Sequence, residues 1–208
     1  APTEAPSQER ESLRGLVRAR ADIIAQRTAM KNRLESVEPA SPAEKAYASL
    51  LKAFEKEIAK LEKLMDKAVK SSREISSKAV LLDSIPGVGL LTAATIIAEL
   101  GDLSRFKSRS ELVAFAGLNP LSKTSGSSVR RKGKISKHGS PEVRRVLYLA
   151  VSAAVNKCSE PNAFKVQHER LIASGKPYYL AICAGMRKML LIARALLISS
   201  QAFSAKGA

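Results

Sequence analysis

Tryptophan is absent from this chain, aromatic residues make up 4% of it, and 208 residues include two cysteines and two histidines. Each scarcity excludes something. A surface that stacks unpaired bases is built from rings, so this composition weighs against a single-strand stacking platform. Cys158 and Cys183 stand apart with no CxxC spacing. That excludes a disulfide scaffold and points to a reducing compartment. His138 and His168 are not in ligand spacing with either cysteine, so no local motif assembles a zinc site. Acids are also few: 19 against 35 lysines and arginines, for a net charge of +16. That excess calls for a polyanionic partner, with nucleic acid ahead of an anionic membrane surface. The most apolar segment, 177–200, is interrupted by Arg187, Lys188 and Arg194, so no run reaches the ~18 uncharged residues of a membrane span. The polar start APTEAPSQERE does not read as a signal peptide. The expected location is the cytoplasm of a bacterium, associated with the nucleoid, with no membrane partner.

What is present is largely helical pattern. Residues 1–10 read as a tail. From Glu11 to Val37, the residues Leu13, Leu16, Ile23, Met30, Leu34 and Val37 fall on one seam of three- and four-residue spacings, which Arg20 and Arg27 interrupt. EPASPAE at 38–44 breaks the pattern, and Ser41, Pro42 and Glu44 form a capping box for the next helix. There Tyr47, Leu51, Phe54, Ile58, Leu61, Met65 and Ala68 make a heptad seam with charged flanks. Two such helices predict an antiparallel hairpin or coiled coil over 8–78. Near 78–80 the charged helix gives way to VLLDSIPGVGLLTAATIIAELGDL, which places a domain boundary there, with 79–208 as the second domain. Helices are expected at Leu90–Leu100, from Ser108 or Ser110 through Phe115, at Pro141–Lys157, Pro161–Ala173 and Pro177–Ser200. A Gly/Ser/Lys-rich loop spans about 118–140. No strand series is visible, so the fold class is all-α.

Three features carry chemistry. In Ile85-Pro86-Gly87-Val88-Gly89, the glycines Gly87 and Gly89 permit a tight turn whose N–H groups, at a helix start, form a phosphate socket. Flanking helices make this a helix-hairpin-helix pattern; the plainer alternative is an inter-helix turn. The second feature is charge density. Residues 103–150 hold eleven basic residues, including Lys123, Arg130, Arg131, Lys132, Lys134, Lys137, Arg144 and Arg145, against Glu111 and Glu142. Like charges this close repel unless a polyanion sits among them. The third is Ser125-Gly126. A serine hydroxyl attacks a phosphodiester if its proton is removed and cations hold the phosphate. Residues 122, 125, 127, 128 and 136 are all serine, however, so the residues alone do not single out Ser125. The carboxylates Asp83, Glu99, Asp102, Glu111, Glu142, Glu160 and Glu169 form no recognisable magnesium-binding tetrad.

Taken in order, these residues resemble a known family. They are IPGVG-x-x-x-A, then F-x-S-x-x-x-L-x-A-x-x-G-L-x-P from Phe106 to Pro120, and Ser125-Gly126. Next come Ile135-Ser136-Lys137-x-Gly139, Arg144-Arg145, Gly175-Lys176 and Ala184-Gly185-Met186-Arg187-Lys188. The set is similar to the C-terminal domain of the IS110 family of insertion-sequence transposases (Piv-like, DEDD type), and the upstream helical segment resembles their coiled coil. The resemblance implies a two-part enzyme. A RuvC-like half would hold Mg2+ on acidic residues. The C-terminal half would supply a serine nucleophile that links covalently to DNA, and several members use a guide (bridge) RNA. Matched by motif, Ser125 would be the nucleophile and Gly126 its neighbour. Lys137, Arg144 and Arg145 would bind phosphate. No RuvC-like stretch lies within the 208 residues, and the chain starts with Ala1. The expectation is therefore a C-terminal fragment, a decayed reading frame or a product of split expression, inactive alone, with no cofactor of its own. DNA is the expected partner, together with a guide RNA and a second copy through the coil. The competing readings are a non-catalytic helix-hairpin-helix nucleic-acid-binding protein and a membrane-surface protein.

Overall fold

The computed structural model describes residues 6–120, 123–125, 129–131 and 135–204, with backbone alone in the two strand segments. The chain divides into two units between Arg73 and Glu74.

The first unit is a helical hairpin, α1 (Gln8–Leu34) against α2 (Pro42–Ser71). Ser7 caps α1, its Oγ accepting from the Arg10 N–H at 3.3 Å, one turn earlier than the expected start at Glu11. Ser41 caps α2, accepting from the Glu44 N–H at 3.2 Å, and Pro42 sits in the first turn. The Glu44 carboxylate reaches back to the N–H of Ala40 rather than to that of Ser41. Ala40 is left-handed at φ +63°, and this bend turns its own N–H toward the helix.

The α2 seam is borne out as the face turned inward: Ile58 and Met65 are buried, and Tyr47, Leu51, Phe54, Leu61 and Ala68 are half-buried. In α1 the buried positions are Leu13, Val17 and Ala21, a stripe of four-residue steps that shares only Leu13 with the expected seam. The interrupting Arg20 is accommodated. Its Nε and Nη2 both donate to Glu62 Oε1, at 2.9 and 2.6 Å.

The second unit begins with α3 (Arg73–Asp83) and the turn at 84–89. α4 (Leu90–Leu100) follows, then a 3-10 turn (Leu103–Arg105) and α5 (Arg109–Phe115). A two-stranded antiparallel hairpin, β1 (Lys123–Ser125) and β2 (Val129–Arg131), precedes α6 (Pro141–Asn156), α7 (Ala163–Ala173) and α8 (Tyr178–Ser199). The helices carry the fold and make it all-α in class; the short hairpin inside the basic loop is the addition.

α4 is the hub. Every residue from Ala93 to Leu100 is buried, which only a helix enclosed on all sides shows. Its one buried hydroxyl, Thr95, is satisfied by the Leu91 carbonyl at 2.8 Å. Gly101 ends it at φ +67°, its N–H donating to Ile97 O at 3.0 Å. α8 packs against α6, α7, α5 and the 3-10 turn. Its stripe Ala181, Ile182, Gly185, Met186, Met189, Leu190, Ala193 and Leu196 is buried, at ~1.5–3 kcal/mol for each large side chain. At Gly185 a Cβ would stand 2.7 Å from Val151 Cγ1, so glycine there sets the close approach of α6 and α8. No described helix is long and apolar enough to cross a membrane.

Candidate nucleic-acid interface

The two glycines of the 85–89 turn do different work. Ile85 and Val88 are buried, and the Val88 N–H closes the turn on Ile85 O at 3.0 Å. Gly87 lies at φ +83° with its α-carbon against α6: a Cβ there would meet Ala150 O at 2.2 Å and Ala154 Cβ at 2.9 Å. Its glycine is required by packing. Gly89 is exposed, caps α4 without any side-chain hydrogen bond, and has nothing within 4 Å of a Cβ position. The first-turn N–H groups of α4 thus open onto solvent, the usual seat of an anion.

The basic loop stands on a clamped base. Segments 115–120 and 135–140 run side by side. Lys137 N–H donates to Gly117 O at 3.0 Å and Ser136 N–H to Asn119 O at 2.9 Å. The Ser136 hydroxyl donates to Asn119 Oδ1, and Pro120 bridges Ile135. The approach is close enough to demand two glycines. A Cβ on Gly139 would lie 2.0 Å from Phe115 O, and one on Gly117 (φ +70°) 2.8 Å from Gly139 N. Lys137 crosses the return with φ +59°.

Arg144, expected to bind phosphate, is placed here. Its Nη1 donates to Gly139 O at 2.6 Å and to Ala116 O at 3.4 Å. Burial pulls its guanidinium below the ordinary arginine value. It ties the loop base to α6. Arg145 is exposed beside Glu142, 3.4 Å away. Replacing Arg144 with Gln is expected to free both carbonyls. The Ser136 and Lys137 amides should then exchange with deuterium at least about tenfold faster, for a lost charge-assisted bond of ~1.5–3 kcal/mol. Unchanged exchange at both amides would contradict this role.

Above the base, the loop pairs as a ribbon: Lys123 opposite Arg131, Thr124 opposite Arg130, and Ser125 opposite Val129. Ser125 therefore occupies the last paired position of β1. Gly126, Lys132 and Lys134 lie outside the described residues. The structure thus brings Ser125, Lys123, Arg130 and Arg131 onto one ribbon with Lys137 at its foot, and it sets Gly87 apart, inside the helical packing.

Among the described residues no three His, Cys, Asp or Glu side chains gather as a metal site. The acids are engaged singly. Asp102 accepts from the Ser104 hydroxyl and N–H, which holds its carboxyl below the usual value. Glu111 accepts from the Lys107 N–H, and Glu142 pairs with Arg145.

Two features escaped sequence reading. Gly117 and Gly139 appear in the motif but carry no evident role until the loop base is seen. Three of the four tyrosines also gather. The Tyr148 and Tyr179 rings are 6.4 Å apart at 22°, and Tyr178 meets Tyr179 edge-on at 5.7 Å. Tyr179 is 70% exposed. Composition counts rings but not their placement.

Residues 79–167 match the family described as Transposase IS116/IS110/IS902. The match runs from α3 into α7 and encloses the ribbon and its base. Over these residues the C-terminal unit is similar to the IS110 transposase family. The chain is 32% identical over 130 residues to a pilin gene-inverting protein of Moraxella bovis, covering 62% of this chain and 40% of that protein. It is 31% identical over 117 residues to an insertion element IS110 uncharacterized 43.6 kDa protein of Streptomyces coelicolor, covering 56% and 28%. A transposase for insertion sequence element IS1111A of Coxiella burnetii is 42% identical over 66 residues, covering 32% and 18%. The chain thus spans less than half the length of the relatives it matches.

Proposed function

We propose that this chain is the DNA-engaging, serine-bearing part of an IS110-family DNA transposase, acting in strand cleavage and joining. The observation that carries the reading is Ser125 at the end of a ribbon whose strands hold Lys123, Arg130 and Arg131, within the segment that matches the family. Those three cations, with Lys137 at the foot and the open first turn of α4 at Gly89, neutralise the backbone of bound DNA. Ser125 Oγ attacks a phosphorus, and its proton passes to a base. The bond from phosphorus to the departing deoxyribose oxygen breaks, and that oxygen takes up a proton. One phosphoester is exchanged for another, so an incoming hydroxyl reverses the step and joins strands. A RuvC-like acidic half, a guide RNA and self-association through the α1–α2 hairpin belong to the same reading, as does a cytoplasmic setting.

The binding part is testable on the chain itself. Lys123→Gln, Arg130→Gln and Arg131→Gln together should flatten the plot of log K against log salt for duplex DNA. The expected change is about 2.7, at ~0.9 per lost phosphate contact. An unchanged slope would remove the ribbon from the interface.

A further inference from the structure

The second unit holds an open groove of about 1390 Å3 lined by α7, α8, the 157–162 connection and the start of α5. Among the described residues six cations line it: Arg109, Lys157, Arg170, Arg187, Lys188 and Arg194. One carboxylate, Glu160, lines it with them. Four of the six lie beyond the segment that matches the transposase family.

The groove is not held together by its charges. Among the described residues none of the six is in an ion pair. Lys188 and Arg194 donate instead to the carbonyls of Ala163, at 3.5 Å, and Phe106, at 2.9 Å. Arg194 Nε is buried without a partner. Concentrating cations in a concave, partly apolar site raises the local potential and the cost of leaving it empty. A polyanion offsets that cost. The volume exceeds the ~300–1,000 Å3 that encloses a small molecule, so an extended ligand suits it better. Val166, Ala184 and Leu191 share the lining, and this mixture of apolar surface and cations matches a sugar–phosphate chain. Along α8, Ala184, Arg187, Leu191 and Arg194 recur at three- and four-residue steps, which puts them on one face facing along the groove.

We propose that this groove is a second phosphodiester-backbone site, built from residues other than those of the ribbon, by which one chain holds two nucleic-acid segments at once. The inference needs no catalytic role for Ser125. Its chemistry is common to DNA and RNA, and the test separates the two.

Arg170 and Arg187 are both exposed, so Arg170→Gln with Arg187→Gln should leave the fold and its melting temperature unchanged. The 208-residue chain carrying this pair is titrated with a duplex DNA and with a single-stranded RNA. The expected loss of salt slope is about 1.8 for the duplex or about 1.4 for the single strand, whichever the groove holds. The loss should add to that of the ribbon variant, because the two sets of residues are distinct. A local readout accompanies it: acylation of Lys157 and Lys188 should slow on binding, even in the ribbon variant. Should the double variant unfold, Arg187→Gln alone is expected to cost about 0.9 or about 0.7. Unchanged slopes for both ligands, with Lys157 and Lys188 unprotected, would overturn the proposal. Loss of slope in the ribbon variant but not in the groove variant would leave the ribbon reading standing and this one refuted.

Discussion

Ser125→Ala is expected to reduce strand joining at least about a thousandfold, as removal of an attacking nucleophile does elsewhere. The assay supplies a RuvC-like acidic domain in trans and scores joined DNA. Binding by the same variant should stay within about twofold, because one uncharged hydroxyl contributes little against a backbone interaction dominated by charge. The split is diagnostic. A nucleic-acid-binding module without chemistry would show no joining with either residue. A serine that merely caps the ribbon turn would lose stability and joining in proportion. Replacement by cysteine sharpens the comparison, since a thiol keeps the shape and remains a nucleophile. Undiminished joining by Ser125→Ala would assign the chemistry elsewhere, and the neighbouring loop serines would be next.

Gly87→Ala should have the largest effect on stability. The added methyl would sit 2.2 Å from Ala150 O and 2.9 Å from Ala154 Cβ, where neither neighbour is a flexible side-chain end. It would also force a non-glycine residue to φ +83°. Overpacking costs ~1–3 kcal/mol and the left-handed conformation ~1–2, so a loss of roughly 2–5 kcal/mol is expected. That is a large share of the ~5–15 kcal/mol by which a domain is stable. Urea unfolding followed by circular dichroism reads it directly. Gly89→Ala is the internal control. It has open space at Cβ and an extended φ of −122°, so its cost should stay within about 1 kcal/mol. Equal effects at the two positions would contradict the separation of a packing glycine from an open one.

Much of the helical framework was legible because its signals are local. Ser41-Pro42-Ala43-Glu44 announces the α2 start, the heptad seam announces its buried face, and Ser108, Pro141 and Gly101 mark ends that the structure keeps. The rest depends on partners distant in sequence. Gly87 needs α6, more than sixty residues on, before its packing role is visible. Arg20 reads as a defect in an apolar seam until Glu62 stands across from it. The ribbon was hidden because Lys-Thr-Ser and Val-Arg-Arg are too short and too charged to show the alternation of a strand. Arg144 looked like the other loop cations, yet its bonds to Gly139 and Ala116 make it a fastener of the loop base. The α7–α8 groove draws its cations from positions 109 to 194, a dispersion that no window along the chain detects.

The most direct measurement is to trap the chain on DNA in the presence of the acidic half, digest both, and locate the attached nucleotide by mass spectrometry. A phosphoester on Ser125 is the expected result. A covalent nucleotide on any other residue, or complete joining with no chain–DNA ester at any time, would contradict a serine nucleophile carried on the β1–β2 ribbon.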